Sequence, residues 1–467
     1  MAAALLALSA ALAGQAHAQR AAEPVVGIVE LPPAPPYVDL LPGYGRPVDI
    51  QATTARRRRL AEAIGDAVVL IPAARERDIE GVDYPQDNDF RQHNVFFYFT
   101  MLETARAWMV MNTRAGGEAE AVLLLPPRNP QRERWTGVRL GPGDEAVRLS
   151  GFPTVLPVSA LDSVVRAAVA RGVPIYAPLD HTTGEDTLIR SLRSRTDLVV
   201  RNLVPLVNRM RMVKDSAELV ALRRAVTISA NAHVELMRQA REGMFEYELE
   251  AIFEGSLRRQ GADRVGYPSI VGSGLNATTL HYDVNRRQTR AGELVVVDAA
   301  GEWGQYTADI TRTFPISGRF TDRQRALYNL VLGAQQAAID STRPGITLGR
   351  LNQIARAWLR DNSRGLCGER TCDWYMIHGL AHGIGMDVHD PLPGNVPLEP
   401  GMVFTIEPGV YLPAESLGIR IEDDILVTRT GHEVLSANAP RSAEDIERVM
   451  AEGRRTAAAE PVRRRRN

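Results

Sequence analysis

Gly292–Ser317 reads GELVVVDAAGEWGQYTADITRTFPIS. Leu294–Val297 is a short apolar, β-branched run ending on Asp298, and Thr307–Phe314 alternates polar and apolar residues up to Pro315. Gly301 and Gly304 lie between, so the stretch predicts two antiparallel strands joined by a loop. Positions equidistant from a turn face each other, and side chains alternate faces with period two. With the turn centred near Trp303, Asp298 and Asp309 become cross-strand neighbours pointing to one side. Two carboxylates that close raise each other's pKa unless a cation lies between them. The plainer account makes one of them a turn or surface aspartate, and this stretch alone does not choose.

The chain has 467 residues, room for two domains with extensions. A formal net charge of -1 gives no global field toward nucleic acid or an anionic membrane. All but one of the 55 basic residues are arginine, Lys214 being the exception. The basic runs Arg56–Arg59 and Arg463–Arg466 read as a solvated helix start and a frayed tail.

Met1–Ala18 is Ala/Leu-rich, and Ala16-His17-Ala18 has the small-x-small form of a cleavage site. A secretory signal is expected over 1–18, and with it a periplasmic or secreted protein. No Lys or Arg precedes Arg20, so a misassigned start or an Ala-rich tail, with a cytoplasmic protein, is the competing account. The segment is too short and too weakly apolar to span a membrane. Residues 19–52 form a Pro-rich extension, a linker or surface strap. From about Thr53 the pattern turns globular: helix Arg56–Ile64, strand Ala67–Ile71, a very apolar strand Val95–Thr100, strands Trp108–Met111 and Ala121–Leu125, helix Asp162–Val169. That alternation implies a mixed α/β domain. Asp215 and Glu218 form a capping box that opens helix Ala217–Arg238 and the second domain. Helices Tyr247–Gln260 and Arg323–Asp340 carry apolar residues spaced to cover a sheet.

Cys367 and Cys372 are the only cysteines. In a reducing compartment they are two thiols; in an oxidising one they close a small loop, which pins the chain locally.

Three later segments supply what the aspartate pair needs. His378–Asp390 reads HGLAHGIGMDVHD, whose glycines argue for loop and short strand. Leu398–Tyr411 reads LEPGMVFTIEPGVY, an apolar strand ending on Glu407 before a Pro-Gly turn. Gly418–Ile425 reads GIRIEDDI, where alternation puts Arg420 and Glu422 on one face. A carboxylate at the end of an apolar strand is costly to desolvate unless paired or metal-bound. Four carboxylates and one imidazole suit a pair of oxygen-preferring divalent cations such as manganese.

These blocks resemble the signature blocks of aminopeptidase P and prolidase, dinuclear metallopeptidases of the pita-bread fold, over roughly Thr53–Glu452. The resemblance implies an α/β (α+β) chain with an N-terminal mixed α/β domain (53–212), a pita-bread catalytic domain (213–452) and a basic tail (453–467). It implies Asp298, Asp309, His382, Glu407 and Glu422 as ligands of two divalent metals, manganese first, cobalt or zinc as alternatives. Asp309 and Glu422 bridge, and Glu407 is also the base for the attacking water. VGYPSIVGSGLNATTLHY (Val265–Tyr282) matches too, bringing His281 near the scissile carbonyl. His378 and His389 match substrate-contacting histidines, and His389 is carried over as catalytic as well. Arg420 and Tyr267 match residues that orient the ligands. RQHNVFFYFT (Arg91–Thr100) and WTGVRLG (Trp135–Gly141) resemble the N-terminal domain of the family, in which a residue like Trp135 contacts substrate in a neighbouring subunit.

The activity implied is hydrolysis of the N-terminal Xaa-Pro bond by a hydroxide held between the metals. The partners implied are peptides with proline second and further copies of the chain, as dimer or tetramer, with no nucleic acid and no membrane span. A prolidase restricted to dipeptides and a catalytically inactive peptide-binding module are the rivals; loss of ligand carboxylates marks the latter, and all five ligands are present. Two departures stand out: Ala300 and Ala308 replace family glycines beside the ligands and could trim the pocket. The loop Pro391–Val396 is also short, which bears on substrate length.

Overall fold

The computed structural model describes residues 26–31, 46–76, 90–180 and 186–459. The signal-like segment 1–18, much of the Pro-rich extension and the terminal arginine run lie outside the described residues. Six strands of the N-terminal domain form one sheet in the order Thr154–Pro157, Ala119–Leu125, Trp108–Thr113, Ala67–Pro72, Ile175–Ala177, Val200–Asn202. The middle strand Trp108–Thr113 is antiparallel to both Ala67–Pro72 and Ala119–Leu125, and the outer pairings are parallel. Period two divides their side chains between two cores. Val68, Leu70, Val110 and Leu124 pack with Val165 and Ile189 of helices Leu161–Val169 and Thr187–Arg193. Val69, Ile71, Met109 and Leu123 face the other way, into a core continuous with the second domain.

Val95–Thr100, expected as a strand, is instead the helix Asn94–Thr100, with every residue from Val95 onward buried. A run buried on all sides carries no period, so its apolar content could not distinguish the two. Its last carbonyls are satisfied by the helix Ile50–Ile64: Arg56 Nη1 donates to Tyr98 O at 2.9 Å and Arg57 Nη1 to Phe99 O at 2.8 Å. Arg56 and Arg57 are therefore buried, not the solvated helix start expected of that basic run. Arg56 also pairs with Asp215 at 2.8 Å, the cap of helix Ser216–Gln239, and the expected capping box with Glu218 is present.

In the second domain, helices Ser216–Gln239, Glu246–Arg259, Asp322–Ser341, Leu348–Asp361 and Ala443–Ala459 accompany three three-stranded sheets and a hairpin among the described residues. One sheet orders Thr311–Pro315, Leu294–Asp298, Ile270–Ser273; a second orders Val403–Ile406, Asp423–Val427, His432–Val434; a third orders Tyr306–Thr307, Gly301–Trp303, Arg264–Val265. Gly409–Leu412 and Leu417–Arg420 form the hairpin. Glu422 N donates to Thr311 O at 3.0 Å and Thr313 Oγ1 to Arg420 O at 2.8 Å, which ties the first sheet to the chain entering the second.

The register of the opening stretch differs from expectation. Asp298 pairs with Thr311, and nearer the turn Trp303 pairs with Tyr306. Gly304 and Gln305, at φ 60° and 66°, make the turn, since a two-residue hairpin loop of this hand needs positive φ at both positions. The turn thus falls one position further along than expected, and Asp309 is not directly opposite Asp298.

The described parts of the Pro-rich extension lie against the second domain, with Val29 N donating to Asn231 Oδ1 at 2.8 Å and Arg46 paired with Asp263 at 2.6 Å. Cys367 and Cys372 are joined as a disulfide. Among the described residues, no helix is long and apolar enough to cross a membrane.

Candidate active site

Tyr267 repairs what the register leaves apart. Its Oη lies 2.7 Å from Asp298 Oδ1 and 2.5 Å from Asp309 Oδ1, so one hydroxyl proton is shared between the two carboxylates. Arg420 Nη2 donates to Asp298 Oδ2 at 2.7 Å, and Thr311 Oγ1 to Glu422 Oε2 at 2.6 Å. His382 Nε2 stands 3.4 Å from Asp309 Oδ2 and 3.6 Å from Glu407 Oε1. One donor atom each from Asp309, His382 and Glu422 lie within 4.8 Å of one another. With Asp298 and Glu407 they line one cleft of about 530 Å³.

The electrostatics of the cleft are unbalanced. Burial, reinforced by the neighbouring carboxylates, pushes Asp309 and Glu422 up. Burial drives Glu407 up to about 8, with His382 and Arg420 opposing. Burial alone would lower His382, yet Asp309 and Glu407 raise it to about 9. Divalent cations would offset this crowding, and the donors suit them: oxygen-rich, one imidazole, no thiolate. His382 Nδ1 faces Gly383 O at 3.1 Å, which favours the proton there and leaves Nε2, facing Asp309 and Glu407, as the nitrogen that would hold a metal.

His281, His378 and His389 line the same cleft. The His389 and His382 rings meet edge to face, centroids 4.3 Å apart. His378 is engaged at both nitrogens, Nδ1 to Gly379 O at 2.7 Å and Nε2 to Tyr411 Oη at 2.8 Å, while Arg420 Nη1 donates to that same hydroxyl at 2.9 Å. Burial, with Arg420 nearby, lowers His378 to about 4, so it faces the cleft neutral. Trp135, on helix Pro130–Thr136, is 78% exposed and does not join the cleft of its own chain. Ala300 and Ala308 are fully buried in the core and outside the cleft lining, so their methyls fill protein rather than trimming the pocket.

Two residues escaped the sequence reading. His233, buried in helix Ser216–Gln239, has Nε2 3.1 Å from Ala299 O and 3.0 Å from Ile310 O, the carbonyls just after Asp298 and Asp309. Glu246, buried at the start of helix Glu246–Arg259, accepts from Ser273 N at 2.8 Å, Tyr282 Oη at 2.8 Å and Arg287 N at 2.8 Å, fastening the loop that carries His281. A histidine on an apolar helix face and a glutamate in a first turn carry no local signal of such work.

A cleft that gathers four carboxylates and an imidazole in the second domain of an α/β chain has the donor set of a two-metal hydrolytic site. Residues 220–429 match Metallopeptidase family M24, and residues 53–176 match Aminopeptidase P, N-terminal domain. The Xaa-Pro aminopeptidase of Escherichia coli (strain K12) is 34% identical over 438 residues, 86% of this chain and 97% of that protein. The solved structure of E. coli aminopeptidase P with the inhibitor Pro-Leu superposes with TM-score 0.81 at 32% identity, covering 88% of this chain and 100% of the other. A zinc-substituted E. coli aminopeptidase P in complex with product gives 0.79 at 32% identity, covering 87% and 99%. The chain belongs to the aminopeptidase P family, with its N-terminal domain and pita-bread catalytic domain, and is a metallo-aminopeptidase.

Proposed function

We propose that the protein releases the N-terminal residue of peptides whose second residue is proline, with Asp298, Asp309, His382, Glu407 and Glu422 holding two divalent metals. The convergence of these five side chains in one cleft carries the reading. When bound, the metals supply Lewis acidity toward the scissile carbonyl and acidify the attacking water. Glu407, its oxygens 3.6 Å from His378 Nδ1 and 3.6 Å from His382 Nε2, takes the proton of that water and returns it to the departing proline nitrogen. His281, exposed at the rim, donates to the oxygen of the tetrahedral intermediate. His389 contacts the bound peptide, and the neutral His378 ring forms wall beside it. Pro268, Ile270, Leu280 and Val388 supply the apolar lining that suits a proline ring, whose fixed φ and missing N–H set this bond apart.

The oxygen-rich donors favour manganese, with zinc or cobalt as alternatives. The exposure of Trp135 supports a dimer or tetramer in which it meets a neighbour's cleft. The Cys367–Cys372 pair supports a periplasmic or secreted location, and quantitative thiol labelling of the unreduced, denatured protein would overturn that part.

The deciding experiment measures metal content alongside turnover of Xaa-Pro, Xaa-Pro-Xaa and Xaa-Ala peptides. Two metals per chain and turnover of Xaa-Pro-Xaa alone or with Xaa-Pro are expected. Turnover restricted to Xaa-Pro makes the enzyme a prolidase, and equal turnover of Xaa-Ala removes the proline reading.

A further inference from the structure

We propose that a charge cluster reaching across the domain boundary positions His389, so that the N-terminal domain serves the active site of its own chain. The proposal rests on reading His389 as a residue that contacts the peptide.

Residues 382–390 double back on themselves: Asp390 N donates to Gly383 O at 2.8 Å and Gly385 N to Asp387 O at 3.1 Å. The loop folds around the buried Asp390 carboxylate, and a Cβ on Gly385 would stand 2.6 Å from Asp390 Oδ2. Side chains from outside the loop hold that carboxylate. Lys214 Nζ donates to Asp390 Oδ2 and to Arg211 O, both at 2.8 Å, while Arg211 Nη2 donates to Asp390 Oδ1 and, at 2.7 Å, to Asp387 Oδ2. Arg211 already belongs to the N-terminal domain, which adds two further arms. Asn94 Nδ2 donates to Asp387 Oδ1 at 2.6 Å, and Arg91 Nη2 donates to Met386 O while its Nε holds Glu302 at 2.6 Å.

Two features separate this arrangement from an ordinary interface ion pair. It ends on the residue next to His389, in a stretch whose backbone is held by isolated bridges from Gly383 to Asp390 and Phe404 and by Thr307 N donating to Gly385 O at 2.9 Å, none of which reaches residues 386–389. Lys214 is also the only lysine of the chain, with a fully buried ammonium. The ammonium is a compact point charge beside the Arg211 fork, a shape that a longer, planar guanidinium does not reproduce.

Asn94→Asp tests the idea: it keeps the acceptor that Arg91 and Gln305 use, and turns the contact with Asp387 repulsive. KM for an Xaa-Pro-Xaa peptide should rise roughly 3- to 30-fold with both metals retained, and the same change in a His389→Ala background should add less than about twofold. Lys214→Arg, which keeps the charge, should behave like Asn94→Asp. Independent multiplication of the Asn94 and His389 effects, or metal loss in Asn94→Asp, overturns the proposal. If His389→Ala leaves KM unchanged, the proposal falls with the assignment of His389, while continued Xaa-Pro turnover leaves the proposed activity standing.

Discussion

The strand pair Leu294–Asp298 and Thr311–Pro315 treats buried charge in opposite ways on its two sides. Toward the cleft, carboxylates crowd one another, and their proton affinities rise. On the other side Arg312 is fully buried, and all five of its N–H groups find acceptors. Nε reaches Pro440 O at 2.9 Å, Nη1 reaches Thr311 O at 2.9 Å and Glu422 O at 2.5 Å, and Nη2 reaches Asp423 Oδ1 at 2.6 Å and Ala439 O at 3.1 Å. The histidines repeat the contrast. Burial pushes His233 down to about 3, while the carboxylates around His382 overcome burial and lift it to about 9. Adjacent residues, Glu422 and Asp423, thus serve different ends: one is left wanting a cation, the other is saturated. Capturing metal and stabilising the fold are separable here, and substitutions on either side should show it.

The largest effect is expected on the cleft side. Asp309→Asn or Glu422→Gln should lower turnover by about 10³-fold or more, because Lewis-acid stabilisation is worth several kcal/mol. Metal content should fall, while the metal-free variants melt no lower than the metal-free parent, since a repelling charge has been removed. Near-normal turnover of an Xaa-Pro peptide by either variant would break the dinuclear reading. On the far side, Asp423→Asn leaves the Arg312 guanidinium buried without its counter-charge, which should cost about 3–5 kcal/mol in denaturant unfolding. The folded fraction should still bind two metals. If it binds none, the two sides are one unit and the comparison fails.

His281→Ala probes the cleft without removing any of its carboxylates. A donor engaged only after the carbonyl carbon changes geometry alters kcat, whereas uniform binding alters KM. Loss of kcat by about 10²–10³-fold is expected, with KM within a few-fold and both metals present. A change confined to KM, or lost metal, would assign His281 to the pocket wall or the ligand shell instead.

What the sequence made legible follows from how local each signal is. Asp298, Glu407 and Glu422 stand at or beside strand ends in recognisable blocks, and the capping box at Asp215 is written within four residues. The turn at Gly304–Gln305 was missed by one position because glycine at 301 and 304 offers two centres, and only the strand pairing selects one. Asn94–Thr100 was misread because burial on every side erases the period. His233, Glu246 and the anchor on Asp390 depend on contacts between residues tens to hundreds of positions apart, which no window of sequence contains.

The smallest effect expected concerns His233, and its sign is fixed by which state binds protons. In the unfolded chain its imidazole titrates near the ordinary 6.5, whereas burial lowers it to about 3 in the folded protein. Between those values the unfolded state holds the extra proton, so falling pH favours unfolding, by up to about 1.4 kcal/mol per unit. His233→Gln can still donate from its amide to Ala299 O and Ile310 O, but it does not titrate. The two proteins should therefore differ most near neutrality. The advantage of the parent should shrink from pH 6.5 to pH 5 by about 1.6 kcal/mol in urea unfolding. Metal release at low pH occurs in both proteins and cancels in the difference. A difference that stays flat across that range, or widens toward acid, would mean that His233 carries its proton when folded. It would then be a charged partner of the cleft carboxylates rather than a neutral clip behind them, and the contrast between the two sides would lose one of its supports.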